Sequence, residues 1–141
     1  MAIDNIYGIA GTALNAQLIR MNTTASNLAN AGTKSSTIEG VYHGKRVVFK
    51  ALMDEQDTHQ GAPFVGGVKV DQIGDIKEPI KRVYDPFDPQ ADEEGFVYTT
   101  NISEVGEMVE MMAASRSYQN NVEVINTAKQ LLLRTLSIVE K

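Results

Sequence analysis

The side chains with the means for metal or acid–base chemistry are two histidines, His43 and His59, and an acidic run at Asp85, Asp88, Asp92, Glu93 and Glu94. Neither histidine has a carboxylate or a second histidine at a ligand spacing, so both read as loop or strand residues rather than zinc ligands or proton carriers. Pro86 and Pro89 interrupt the acidic run, and the oxygen-ligand spacing of a calcium-binding loop is not met. It reads as a solvated turn. There is no cysteine, which removes disulfides, thiolate metal sites and thiol nucleophiles. No catalytic residue, metal ligand or cofactor site is expected. The remaining chemistry is association, carried by Ser26, Asn27 and Asn30 near one end and by Met108, Met111, Met112, Arg116 and Tyr118 near the other.

These residues need long helices to hold them. Leu14, Leu18, Met21, Ala25 and Leu28 are spaced four, three, four and three apart, with Tyr7 and Gly11 extending the register backwards. Met108, Met111, Ser115, Tyr118, Val122, Ile125, Lys129, Leu132, Leu136 and Val139 follow the same alternation. This is the a/d repeat that keeps one stripe of a helix turned toward a partner. The first helix is expected from about Ile3 to Asn30, with Asn30 and Gly32 able to take the left-handed backbone at its end. Gly8 and Gly11 weaken its first turns by up to about 1 kcal/mol each, so it should order only when packed. The last helix is expected to open at Asn101, with Glu104 completing a capping box, and to run to about Val139.

Between the flanks the period changes. Short β-branched and aromatic runs appear at Val41 and Val47–Phe49, at Val68, Val70 and Ile73, at Ile80, Val83 and Tyr84, and at Phe96–Tyr98. Gly61-Ala62-Pro63, Gly66-Gly67, Glu78-Pro79 and the segment from Asp85 to Pro89 separate them. The alternation in Val68-Lys69-Val70-Asp71 is that of a half-buried strand. A single small antiparallel sheet of about four strands is expected, resting on the helices because a sheet of this size is marginal alone. The fold class is therefore α+β. The expected organisation is an N-terminal helix over 1–31, a linker and small β-rich domain over 32–100, and a C-terminal helix over 101–141, the two helices pairing as a coiled-coil-like hairpin.

Charge narrows the partners. The net charge is −5, and residues 31–100 hold twelve Asp and Glu against eight Lys and Arg. An acidic chain without clustered cations does not fit a phosphate backbone, so nucleic acid is not an expected partner. Leu131-Leu132-Leu133 is the longest strictly apolar run near the end, far short of the roughly 20 residues a membrane span needs. Met1-Ala2-Ile3-Asp4-Asn5 has neither the basic start nor the apolar core of a Sec signal peptide, so any export is expected by another route.

Two motifs carry a family likeness. Ala25-Ser26-Asn27-Leu28-Ala29-Asn30 resembles the ASNLAN signature near the start of bacterial flagellar rod and hook proteins, and the run from Val105 through Ser115-Arg116-Ser117-Tyr118-Gln119 to Lys129 resembles that family's C-terminal signature. In between, Tyr42 to Phe49, Gly66 to Val70 and Val83-Tyr84-Asp85-Pro86 are similar to the proximal rod branch. Relatives often place Thr-Xaa-Gly-Tyr directly after ASNLAN. Here several residues separate Thr33 from Gly40-Val41-Tyr42, so the likeness does not give the path of that linker.

The resemblance implies a structural subunit of the flagellar basal-body rod, exported through the flagellar type III apparatus and added to a helical tube in the periplasm that transmits torque. It implies terminal helices that form an inner coiled-coil layer and are largely disordered in the free subunit. The implied partners are copies of this chain, other rod proteins, the export apparatus, and the MS-ring or its rod adaptor. The implied assembly interface comprises Leu14, Leu18, Met21, Ala25, Ser26, Asn27, Leu28, Asn30, Met108, Met111, Met112, Arg116, Tyr118, Val122, Ile125, Leu132 and Leu136. Ser26, Asn27 and Asn30 are expected to hydrogen-bond to neighbouring subunits; solvated side chains and an ordinary helix C-cap are the alternative. A peptidoglycan-cleaving enzyme would need a carboxylate pair in a cleft, and these acids cluster in turn-like sequence instead. A cytosolic coiled-coil adaptor or export chaperone would account for the helices but not for both signatures.

Overall fold

A computed structural model describes residues 2–52 and 66–139. Helix α1 spans Ala2–Asn30 and helix α2 spans Glu104–Val139; among the described residues five strands lie between them. These are β1 (Lys34–Ser35), β2 (Lys45–Ala51), β3 (Val68–Asp75), β4 (Lys81–Tyr84) and β5 (Phe96–Thr99), with a 3-10 turn at Ile38–Gly40. His59 and the Gly61-Ala62-Pro63 break fall outside the described residues.

The helices are antiparallel. Asn27 of α1 meets Glu107 of α2, and Arg20 meets Glu110, while Ile6 lies beside Val124, Thr127 and Ala128. At about 1.5 Å per residue the helices are roughly 43 and 54 Å long, so α2 outruns its partner. Counting from the Asn27–Glu107 pair, Ala2 sits opposite about residue 132, and the last turns of α2 extend beyond α1.

The inward stripe is not quite the one the spacing predicts. Leu14, Met21 and Leu28 on α1, and Met111, Tyr118, Ile125 and Leu132 on α2, are half-buried as one column of the repeat requires. The other column is displaced by one residue on each helix. Ala10 and Thr24 are buried where Gly11 and Ala25 were expected, and Glu107, Ala114 and Ala128 are buried in place of Met108, Ser115 and Lys129. Leu18, Met108 and Val122 are exposed. Small residues on this stripe let the two backbones approach closely, which larger side chains would prevent.

Strands form two sheets rather than one. β2 and β3 make an antiparallel hairpin with a bulge between Val48 and Phe49. A second sheet has the order β1-β5-β4, all antiparallel, with Val97 of its central strand buried. Val41 and Ile80 lie outside the strands, although Val41 is buried. The hairpin packs on α1. Thr12 Oγ1 accepts a hydrogen bond from the Val68 amide at 3.2 Å, and Gly67, at φ +124°, approaches so closely that a Cβ there would lie 2.7 Å from that same oxygen. Ala16, one turn further along that side of the helix, is 2 % exposed.

The junction between sheets and helices explains why two helix ends differ from expectation. Ser103, not Asn101, caps α2: its Oγ accepts from the Gly106 amide at 3.3 Å. Asn101 is buried and spent on other backbone groups, its Oδ1 accepting from Gly44 N–H at 2.9 Å and its Nδ2 donating to the carbonyls of Ile76 and Glu78 at 3.1 and 2.8 Å. At the end of α1, neither Asn30 nor Gly32 takes a left-handed backbone. The helix instead stops in turns, with Ala31 N–H to Leu28 C=O at 3.3 Å and Thr33 N–H to Asn30 C=O at 3.1 Å. The linker then forms β1 and the 3-10 turn, and Thr100 Oγ1 ties it down by donating to the Ala31 carbonyl at 2.9 Å.

Gly44 sits at the centre of this junction. A Cβ there would lie 2.8 Å from Ile76 Cδ1, 2.9 Å from Ile102 Cγ1 and 3.2 Å from Asn101 Oδ1. Gly44→Ala is expected to cost about 2 kcal/mol through overpacking, read as a lower urea midpoint with an unchanged slope.

The acidic run is a folded turn. Asp88 accepts from the Lys34 ammonium at 2.5 Å and from Gln90 N–H at 2.9 Å. Lys34 and that amide hold the Asp88 carboxyl below the usual carboxylate range. Its stabilisation is thus present at neutral pH and lost as acid takes the solution through that lowered value. Asp92 accepts from the amides of Glu94 and Phe96, and Arg82 bridges to Glu94 while stacking 3.7 Å above the Phe96 ring.

Candidate assembly interface

Asn27 is the most heavily committed side chain of the N-terminal motif. It is 1 % exposed, and its amide uses both donors and both acceptor sites. Nδ2 donates to the Lys45 carbonyl at 2.7 Å and to Glu107 Oε2 at 3.0 Å; Oδ1 accepts from Lys45 N–H at 2.8 Å and from Tyr42 Oη at 3.2 Å. One side chain thereby joins α1, the start of β2 and the start of α2. Only an amide offers donors and acceptors together in this arrangement. Within the chain Asn27 is therefore an internal clamp, with every hydrogen-bonding position of its amide occupied.

Its companions are placed differently. Ser26 is exposed, with Oγ 3.2 Å from Tyr42 Oη. Asn30 donates to the Ser26 carbonyl of its own helix at 2.8 Å. Arg20 is held by Glu110 across the helix pair. Ala25 and Arg116 are exposed, and Tyr118 is half-buried. Tyr42, Lys45 and Glu107 were not expected to meet Asn27, because their roles depend on contacts across 15 to 80 positions. The one available signal was Glu107, an acid one residue before an apolar stripe.

A large apolar surface faces away from the clamp. On α2, Val105, Met108, Val109 and Met112 are 50–72 % exposed. At 100° per residue they cluster on one side of the helix, opposite Glu107 and Ala114. Further along, Leu133, Leu136 and Ile138 are exposed where α2 outruns α1. The described core, by contrast, is thin: four of its seven buried hydrophobic residues are alanines. Among the described residues there is no group of three metal-ligating side chains. Nor, among the described residues, is any helix long and apolar enough to cross a membrane.

The family model of the flagella basal body rod protein matches residues 9–34, and that of the flagellar basal body rod FlgEFG protein C-terminal matches residues 93–138. Over 138 residues the chain is 47 % identical to the flagellar basal-body rod protein FlgC of Escherichia coli O6:H1, covering 98 % of both. It is 46 % identical to FlgC of Salmonella typhimurium over the same share. FlgC of Buchnera aphidicola from Acyrthosiphon pisum is 41 % identical, over 99 % of this chain and 100 % of the relative. The chain belongs to the FlgC family of flagellar basal-body rod proteins. Membership makes it a structural rod subunit of the flagellum and not an enzyme. The two matched segments of this FlgC-family chain are α1 with the clamp and α2 with the exposed stripe.

Proposed function

We propose that the chain is exported by the flagellar type III apparatus and added, with copies of itself and other rod proteins, to a helical tube that crosses the periplasm and carries torque. Residues 1–31 and 101–141 form the inner layer as a coiled-coil-like hairpin, and residues 32–100 form the outer domain. The base of that tube meets the MS-ring or its rod adaptor. The observation that carries this reading is the exposed stripe of Val105, Met108, Val109 and Met112, which α1 leaves uncovered.

Leu18, Met108, Met112, Arg116, Val122 and Leu136, all exposed, meet neighbouring helices directly, as do the small exposed Ala25 and Ser26. Leu14, Met21, Leu28, Met111, Tyr118, Ile125 and Leu132 close the pair and present their outer edges, with Asn30 at its end. Asn27 acts from inside by fixing the angle between helices and outer domain. Burial at about 25 cal/mol per Å² supplies the association drive, opposed by the entropy of ordering the helices. That balance keeps the subunit soluble until it reaches the growing tip.

Basal bodies purified from cells whose only FlgC-family protein is this chain are expected to contain it in the rod, and those cells to swim. Swimming cells whose rods lack the chain would overturn the reading.

A further inference from the structure

Phe87 is 96 % exposed, the most exposed large hydrophobic side chain among the described residues. It does not hang from a loose loop. Asp88 N–H donates to Asp85 C=O at 3.2 Å, Ala91 N–H to Asp88 C=O at 3.0 Å, and Asp85 N–H to Gly95 C=O at 3.0 Å. Pro86 and Pro89 fix φ on both sides, and Lys34 pins Asp88 from β1. A ring presented on so constrained a turn loses little further freedom on docking. Around it lie Asp85, Asp88, Asp92, Glu93 and Glu94, and among the described residues the cations paired with this group are Lys34 and Arg82. A matching recess needs an apolar floor and spare positive charge.

The chain carries one. A cleft of about 240 Å³ between α1, β2 and α2 has Val47 and Phe49 in its lining, with Lys45 and Arg46 beside them. Its other charges are engaged, Arg20 with Glu110 and Glu107 with Asn27. Lys45 and Arg46 have no ion-pair partner among the described residues. The wider recess on the outer side of the hairpin also holds Arg46, with Lys77, but Asp75 and Glu78 cancel them. We infer that Phe87 docks into the α1–β2–α2 cleft of a second copy of this chain, with its ring against Phe49 and its flanking carboxylates toward Lys45 and Arg46. Knob and cleft are different surfaces of one molecule, so the contact is head-to-tail, the kind that closes a ring or propagates along an open helix; in a helical rod it is the second. The inference rests on the rod-subunit reading and adds a contact between outer domains and neighbouring cores.

Because the chain has no cysteine, paired cysteines test it directly. Thr23 lines the cleft and Gln72 the outer recess. In assembled basal bodies, oxidation of Phe87→Cys/Thr23→Cys is expected to give crosslinked dimers of this chain, and Phe87→Cys/Gln72→Cys about tenfold less, the discrimination of one hot-spot contact. Equal or greater crosslinking to the Gln72 site, capture of a different rod protein, or no dimer in rods that contain both variants would overturn the docking while leaving the rod reading intact. Absence of the wild-type chain from the rods would overturn both.

Discussion

Replacing Asn27 by Asp is expected to lower the thermal midpoint of this chain by about 10–15 °C, the largest stability effect of any single change to its polar groups. The substitution keeps size and shape but removes both donors. The Lys45 carbonyl, 2.7 Å away, loses its partner, and a carboxylate replaces the NH2 group 3.0 Å from Glu107 Oε2. Two buried carboxylates without an intervening proton, plus an orphaned carbonyl, cost about 3–5 kcal/mol. Glu107→Gln in the same chain restores a donor at that contact, so the double variant should recover about half the loss. An Asn27→Asp chain that melts like wild type would show that the three elements are not joined through this residue.

Met112→Asp is expected to do the reverse, sparing the fold and abolishing assembly. Met112 is 58 % exposed on the side of α2 away from α1, so a charge there changes monomer stability by no more than about 0.5 kcal/mol. In the proposed tube the same position would face apolar neighbours, and a buried unpaired carboxylate would cost several kcal/mol at every repeat. Cells carrying it should make normal amounts of folded chain, lack rods and fail to swim. Leu28→Asp or Ile125→Asp should block assembly too, but these residues are half-buried in the helix pair and would loosen it as well. Rods of normal yield with Met112→Asp would remove the exposed stripe from the interface.

The sequence made the helices legible because their signal is local. Three-four spacing and terminal Gly and Asn residues placed α1 and α2 within a few residues of Ala2–Asn30 and Glu104–Val139. The β-branched runs likewise marked β2 to β5, though not the two-residue β1 at Lys34–Ser35. What was hidden depends on distant partners. Asn101 has the side chain of a helix cap, yet it serves Gly44, Ile76 and Glu78, and Ser103 takes the cap. Half of each heptad stripe was misplaced by one residue, toward the side that buries Thr24, Asn27 and Glu107, and hydrophobic periodicity gives such polar residues no weight. The division into two sheets was equally invisible, since alternation marks a strand but not its neighbour.

The claim on which the account depends is that the outer face of α2, bare in the isolated chain, is covered by other subunits in the rod. In a chain without native cysteine, Met112→Cys reports this by its rate of reaction with a maleimide in the purified subunit and in intact basal bodies. Rapid labelling of the subunit is expected, and at least about a hundredfold slower labelling in the rod, where buried thiols are inert. Equal rates in both would contradict it.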